Sequence, residues 1–186
     1  MKIDLSDKTI LVTGANSGIG KAIAQELLNA GAQVALHFNS NSEGASKLKE
    51  QFSDQCELFQ ADFNNVDEAI KLFEEVLSWR NTLDILINNA GTAIMNSINL
   101  DDETWIKNWN TIMNINLLAT GVLSKKALQH FKTKNANNLG HHRSDIKAYF
   151  IYPDGLLGFS CLSLLAILYS ILCTFFFTYG PLTRIG

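Results

Sequence analysis

Gly14, Gly18 and Gly20 in the stretch Thr13-Gly14-Ala15-Asn16-Ser17-Gly18-Ile19-Gly20 have the spacing of a turn that receives an anion. The apolar run Lys8-Thr9-Ile10-Leu11-Val12 before them reads as a buried strand, and Ile19 to Leu28 after them reads as a helix. Glycines between two such elements let the backbone approach a pyrophosphate closely. The free N–H groups and the dipole at the helix start then favour its negative charge. The order is G-x-x-x-G-x-G rather than the more common G-x-G-x-x-G, so the strand–turn–helix context carries the reading more than the glycines do. Gly14, Asn16, Ser17, Gly18, Ile19 and Gly20 are therefore candidate nucleotide contacts.

Three further groups belong to the same chemistry. Leu83 to Asn88 is an apolar strand candidate that breaks at Asn88-Asn89-Ala90-Gly91, which makes Asn88, Ala90 and Gly91 candidates at its end. Asn39 follows the strand candidate Gln33–Phe38, and Asp62 follows the apolar stretch Cys56 to Ala61. In a parallel sheet, ligands bind beyond the carboxyl ends of the strands, and all these positions fall there. Asp62 has a second reading as a helix cap, because Asp62-Phe63-Asn64-Asn65 precedes a helix start.

These motifs resemble the short-chain dehydrogenase/reductase family, whose first turn is T-G-x-x-x-G-I-G and whose fourth strand ends in N-N-A-G. Asp62 stands where that family has an acid near the adenine, and Asn116, in Asn114-Ile115-Asn116-Leu117-Leu118, matches an asparagine on the following helix. The resemblance covers about residues 5 to 130 and is most like 3-oxoacyl-carrier-protein reductases and related sugar or steroid dehydrogenases. It implies a nicotinamide dinucleotide, a carbonyl or alcohol substrate, and pairing of subunits through the helices around Asn116 and Tyr149. It also implies that Asn116 interrupts regular helix bonding and holds a water in a proton relay. Asn114 is the competing candidate, and a surface asparagine is the plain alternative. The second strand ends His37-Phe38-Asn39-Ser40 without an acid, which leans toward NADP(H) over NAD(H), since an acid there would repel a 2′-phosphate. Ser17, where NADP-preferring relatives often carry a base, weighs the other way.

The chemistry that should complete such a site is not found. The family protonates the developing alkoxide with a tyrosine, assisted by a lysine four residues later and a serine upstream. A phenol titrates near 10 in water and needs nearby positive charge to act near neutrality. No tyrosine here has a lysine four residues on: Tyr149 is followed at that distance by Pro153, Tyr152 by Leu156, Tyr169 by Cys173 and Tyr179 by Thr183. Tyr149 is the nearest match, with Pro153 in the lysine's place, and a proline there opposes a helix. A fifth strand bearing the serine is not recognisable. Little or no turnover is expected, which leaves a catalytically inactive nucleotide-binding protein as the alternative to an oxidoreductase. His141-His142 has no acid or cysteine cluster beside it, so water-exposed loop histidines are expected and no metal site.

The elements that must position these residues alternate. Strand candidates Thr9–Val12, Gln33–Phe38, Glu57–Ala61 and Leu83–Asn88 are separated by helical patterns at Gly20–Ala30, Ser42–Phe52 and Val66–Trp79, and Thr104–Lys132 follows. In Val66–Trp79, Ala69, Leu72, Phe73, Val76 and Leu77 recur at three- and four-residue steps, opposite Asp67, Glu68, Lys71, Glu74 and Glu75. Such alternation implies right-handed crossovers and an α/β fold, a Rossmann-like doubly wound parallel sheet in three α/β/α layers. Residues 1–132 form the dinucleotide-binding domain, 133–155 an irregular segment and 156–179 an apolar helix.

At 186 residues the chain is long enough for one well-buried core. A net charge of −3 with no basic cluster argues against a nucleic-acid surface. Cys56, Cys161 and Cys173 lack paired spacing, and the N-terminus lacks a secretory signal, so a cytoplasmic, reduced protein is expected. The composition changes along the chain: no glutamate follows Glu103, and Leu156 to Tyr179 contains no charge. Three readings of residues 156–179 stand. They are a membrane-spanning tail anchor, a divergent interface helix, or the product of a shifted reading frame in an AT-rich gene. The frame-shift reading fits the abrupt loss of glutamate and of family motifs best.

Overall fold

The computed structural model describes residues 3–137 and 148–150. Among these, one five-stranded parallel sheet has the order β3-β2-β1-β4-β5. The strands are β1 (Thr9–Val12), β2 (Gln33–Phe38), β3 (Cys56–Gln60), β4 (Ile85–Asn88) and β5 (Ala148–Phe150). The helices are α1 (Gly18–Asn29), α2 (Glu43–Gln51), α3 (Val66–Arg80), α4 (Asp102–Met113) and α5 (Thr120–Asn137), with a π-helical turn at Asn114–Ala119 between the last two. The crossover direction switches between β1 and β4, and the carboxyl ends of those two strands define the crevice of a doubly wound sheet. The expected Rossmann-like α/β arrangement is what the chain forms.

Every residue of β1 is buried, as a central strand covered on both faces requires. Its side chains alternate between two cores. Leu11 packs with Ala35, Leu86, Leu72, Val76 and Leu123 beneath α3 and α5. Ile10 and Val12 pack with Val34, Leu36, Ala24 and Leu28 beneath α1 and α2. A one-residue slip would exchange the two sets, so the pattern pins the register Thr9↔Gln33 and Ile10↔Ile85. Helix α3 is capped at its start by Asn65, whose side chain accepts the Asp67 N–H, and at its end by Asn81 in the left-handed region (φ 58°). Asp67 and Glu68 in its first turn and Arg80 in its last complement the helix dipole.

The structure departs from the sequence expectations in three places. The single helix expected over Thr104–Lys132 is α4, the π turn and α5, and α5 runs on to Asn137, beyond the expected boundary at residue 132. Its last turns are tied to the start of β4: Lys134 Nζ donates to Asp84 Oδ1 (2.6 Å) and Thr82 Oγ1 (2.9 Å), while His130 Nε2 accepts the Leu83 N–H (3.1 Å). A fifth strand, not recognised in the sequence, is present: β5 pairs with β4 in the register Ile87↔Tyr149 and Asn88↔Phe150. His141, His142 and residues 156–179 lie outside the described residues. Among the described residues no helix is long and apolar enough to cross a membrane.

Candidate functional site

The site begins where β1 and β4 end side by side. Thr13 Oγ1 accepts the N–H groups of both Asn89 and Ala90, each at 2.9 Å, and donates to Ile87 O at 3.3 Å. Asn89 Nδ2 donates back to Thr13 O (2.9 Å) and Gly14 O (3.2 Å). The two turns are thereby stitched together by buried polar groups. Gly14 lies at φ 67°, and a Cβ there would stand 2.9 Å from Ala90 Cα. A Cβ on Gly20 would stand 2.2 Å from Gly14 O. The glycine turn is thus packed backbone against backbone, and Gly20 is there for room. Gly18, at φ 53° with open space around it, is there for conformation.

Helix α1 opens at Ser17 with no side-chain cap and no acid in its first turn, so its leading N–H groups and dipole are not answered by a side chain of its own. They border an open cleft of about 370 Å³. Gly14, Ser17, Gly18, Ile19 and Gly20 form one wall, and His37 and Asn39 come from the end of β2. Ala61 and Phe63 follow β3, while Asn89, Ala90, Gly91 and Thr92 follow β4, with Ile115 from the π turn. No charged residue is among these, so an anion bound here would meet amide dipoles rather than an ion pair. A second recess of about 340 Å³ shares Ser17 and Gly18 with the cleft and is lined by Lys21, Lys47 and Glu43. Lys47 is paired with Glu43 at 2.7 Å. The cradle suits a group with a central pyrophosphate, since at Gly14, Gly18 and Gly20 its wall is bare backbone beside the N–H groups that open α1.

The sequence-named residues do not all face this cleft. Gly14, Ser17, Gly18, Ile19, Gly20, Asn39, Ala90 and Gly91 line it. Asn16 turns to α2, its Oδ1 accepting the N–H groups of Gly44 (2.8 Å) and Ala45 (3.2 Å), and it lines the second recess. Asp62 Oδ1 accepts the Asn64 N–H (2.9 Å), so its carboxylate serves the turn leading into α3, and Ala61 and Phe63 line the cleft on either side of it. Asn88 Nδ2 donates to Ser124 Oγ (3.1 Å), and its Oδ1 is buried without a partner among the described residues. Asn116 makes a reciprocal pair with the backbone of Thr92: Oδ1 accepts its N–H and Nδ2 donates to its carbonyl, both at 2.8 Å. The π turn around Asn116 breaks regular i→i+4 bonding at the residue the resemblance singled out. Tyr149 sits within β5, its backbone opposite Ile87, and not on a helix beyond the fifth strand.

Six lining residues escaped the sequence reading: His37, Ala61, Phe63, Asn89, Thr92 and Ile115. His37 is 3% exposed and its ring stacks on Phe63, centroids 4.2 Å apart. Nδ1 accepts the Gly14 N–H (3.1 Å), which leaves the proton on Nε2 to be donated to Ala61 O (3.0 Å). Burial pushes His37 down from its usual 6.5 to about 4, so it is neutral at physiological pH. The available signal was a histidine inside an otherwise apolar strand at the sheet's ligand-binding end.

The family model for short chain dehydrogenases matches residues 8–139. Among curated proteins, the chain is similar to the hydroxynaphthalene reductase-like protein Arp2 of Metarhizium guizhouense (strain ARSEF 977). The two are 32% identical over 131 residues, covering 69% of this chain and 48% of that protein. Among solved structures it is similar to 3-ketoacyl-(acyl-carrier-protein) reductase from Brucella melitensis complexed with NADH. That match has 27% identity and a TM-score of 0.63, covering 73% of this chain and 54% of that one. A blue fluorescent protein from a metagenomic library, in complex with NADPH, aligns with 26% identity and a TM-score of 0.61, over 68% of this chain and 52% of that one. The chain spans about half the length of the curated relatives it matches. With the stitched glycine turn, the N-N-A-G strand end and the π turn at Asn116 in place, this chain belongs to the short-chain dehydrogenase family.

Proposed function

We propose that residues 3–137 bind a nicotinamide dinucleotide in the cleft at the carboxyl ends of β1, β2 and β4, in the manner of an oxidoreductase that interconverts a carbonyl and an alcohol. The observation that carries this reading is the uncapped start of α1 facing a cradle in which Gly14 and Gly20 leave no room for a Cβ. When bound, the nicotinamide would supply or accept hydride. The protein's own contribution is to orient it: Ser17, Gly18, Ile19 and Gly20 on the pyrophosphate, Asn39 toward the adenosine end, Ala90 and Gly91 against the nicotinamide half. The solved relatives are named with NADH in one case and NADPH in another. NADP(H) is the favoured partner, supported by the absence of an acid after β2 and by Lys21 and Lys47 in the recess beside Ser17.

Turnover is expected to be negligible. A phenol needs a neighbouring cation to act as acid near neutrality, and neither the tyrosine–lysine pair nor the serine of the family occurs in the sequence. Tyr149, the nearest candidate for the acid, stands in a strand, and Asn116, the relay residue that the resemblance implies, is tied to the Thr92 backbone. The exposed apolar face of α4 and the π turn, with Trp105, Ile106, Leu117 and Leu118, supports self-association. Trp79, Trp105 and Trp109 provide a direct test. Titration with NADPH should change tryptophan fluorescence saturably, while NADPH mixed with a panel of ketones should lose no absorbance. Steady oxidation of NADPH above background would refute the inactive assignment; flat fluorescence with both dinucleotides would refute the binding assignment.

A further inference from the structure

We propose that His37 is a positioning residue for the dinucleotide: its Nδ1 lone pair holds the Gly14 N–H and so fixes the opening of the glycine turn. This rests on the cofactor reading above and deepens it. His37 takes up the first two amides of the turn. Its side chain accepts Gly14 N–H at 3.1 Å, and its backbone carbonyl accepts Ala15 N–H at 2.8 Å. Those two donors are therefore committed inside the protein, and a phosphate must be met by amides further along, at the start of α1. The same ring reaches the third loop of the cleft through its Nε2–H on Ala61 O (3.0 Å), and it is backed by the Phe63 ring in parallel stacking, 6° between planes. One buried imidazole thus braces the ends of β1, β2 and β3 at once.

The need for a brace follows from Gly14 itself. A glycine at φ 67° has more conformations to lose than any other residue, and nothing in its own side chain restrains it. With Nδ1 gone, the Gly14 N–H is left unsatisfied in a half-buried place, and the turn relaxes to find water or another acceptor. The backbone bond from Ala15 survives any substitution at position 37, so a side-chain change isolates the Nδ1 contribution.

Two near-isosteric variants separate positioning from mere packing. In His37→Asn the amide oxygen stands close to where Nδ1 was, keeping the Gly14 acceptor and losing the Ala61 bond. In His37→Gln the amide nitrogen stands close to where Nε2 was, keeping the Ala61 bond and losing the Gly14 acceptor. Each loses one hydrogen bond and similar bulk, so urea midpoints should fall together. NADPH affinity should not: about tenfold weaker in His37→Gln and close to wild type in His37→Asn, the scale of one lost hydrogen bond. Equal weakening in both, or unimpaired binding by His37→Gln, overturns the proposal while leaving the cofactor reading standing. A wild-type chain that binds neither dinucleotide overturns both. Should His37→Gln not fold, nitrogen-15 NMR of the wild-type protein decides. A protected Gly14 amide with the Nε2–H tautomer at His37 supports the proposal, and rapid exchange at Gly14 or the Nδ1–H tautomer overturns it.

Discussion

At the ends of β1 and β4, Thr13, Asn88 and Asn89 are polar yet 1%, 5% and 6% exposed, whereas on α4 no residue is buried although Trp105, Ile106 and Trp109 are apolar. The first region withdraws polar groups from water and answers most of them with hydrogen bonds of 2.9–3.3 Å. The second carries a tilted pair of indole rings, 5.4 Å between centroids, with Trp105 exposed and Trp109 half-buried. Buried polar groups hold only one arrangement without heavy cost, so the rim is a rigid template. An apolar helix face left partly exposed places less constraint on the monomer, and it suits association instead. Substitutions should therefore be costly at the rim and nearly silent at the exposed apolar positions of α4 and the π turn, such as Ile106 and Leu118.

The largest difference is expected within the glycine turn. Gly20→Ala drives a Cβ to 2.2 Å from Gly14 O and should cost about 3 kcal/mol or more with loss of dinucleotide binding, measured by urea unfolding and titration. Gly18→Ala meets open space and should cost only about 1 kcal/mol, the strain of φ 53°. Equal costs would mean that the two glycines do not divide room and conformation as described.

Acid should weaken the rim by a similar amount. His37 is neutral in the fold, with burial pushing it down to about 4 from 6.5. Below pH 6.5 the unfolded chain takes up a proton that the folded chain refuses. Stability is therefore full above about 6.5 and falls as the pH drops toward 4, by about 3 kcal/mol in total. His130, lowered by burial and then by Lys134, adds loss in the same direction. In His37→Asn the fall between pH 6.5 and 4 should be visibly shallower in urea midpoints.

Thr13→Val removes the acceptor of two N–H groups, Asn89 and Ala90, and should cost about 2–3 kcal/mol, with Thr13→Ser restoring most of it. A Val variant as stable as wild type would show that the stitch between β1 and β4 contributes little. At the other end of the scale, Leu118→Ser, on a side chain 46% exposed, should change monomer stability by less than about 0.5 kcal/mol. Its effect should appear in light scattering, as a lower molar mass, if this face joins two copies. A large loss of monomer stability would mean that the face is packed within one chain.

The parts of the fold legible in the sequence were those set by local pattern. The alternation of short apolar runs with three- and four-residue periodicity gave the order of the first four strands and three helices, and the glycine spacing gave the turn. What remained hidden depends on contacts between distant residues. Asn16 is a turn residue in sequence, and only the approach of α2 shows its side chain capping Gly44 and Ala45. Asp62 had two readings in sequence, and only the structure shows its Oδ1 accepting from the Asn64 N–H of the local turn between two cleft-lining residues. His37 reads as an interruption of an apolar strand until Gly14 and Ala61 are brought to either side of its ring. β5 is a three-residue strand whose sequence, Ala-Tyr-Phe, has too little pattern to announce itself and is defined by pairing with Leu86–Asn88.

The most direct test of the central claim is equilibrium titration of the full chain with NADPH and, separately, NADH, followed by tryptophan fluorescence and calorimetry. Saturable binding of both at one site, tighter for NADPH and abolished by Gly20→Ala, is the predicted result. A folded chain that takes up neither dinucleotide would contradict the assignment of the β1–α1 turn as a pyrophosphate cradle.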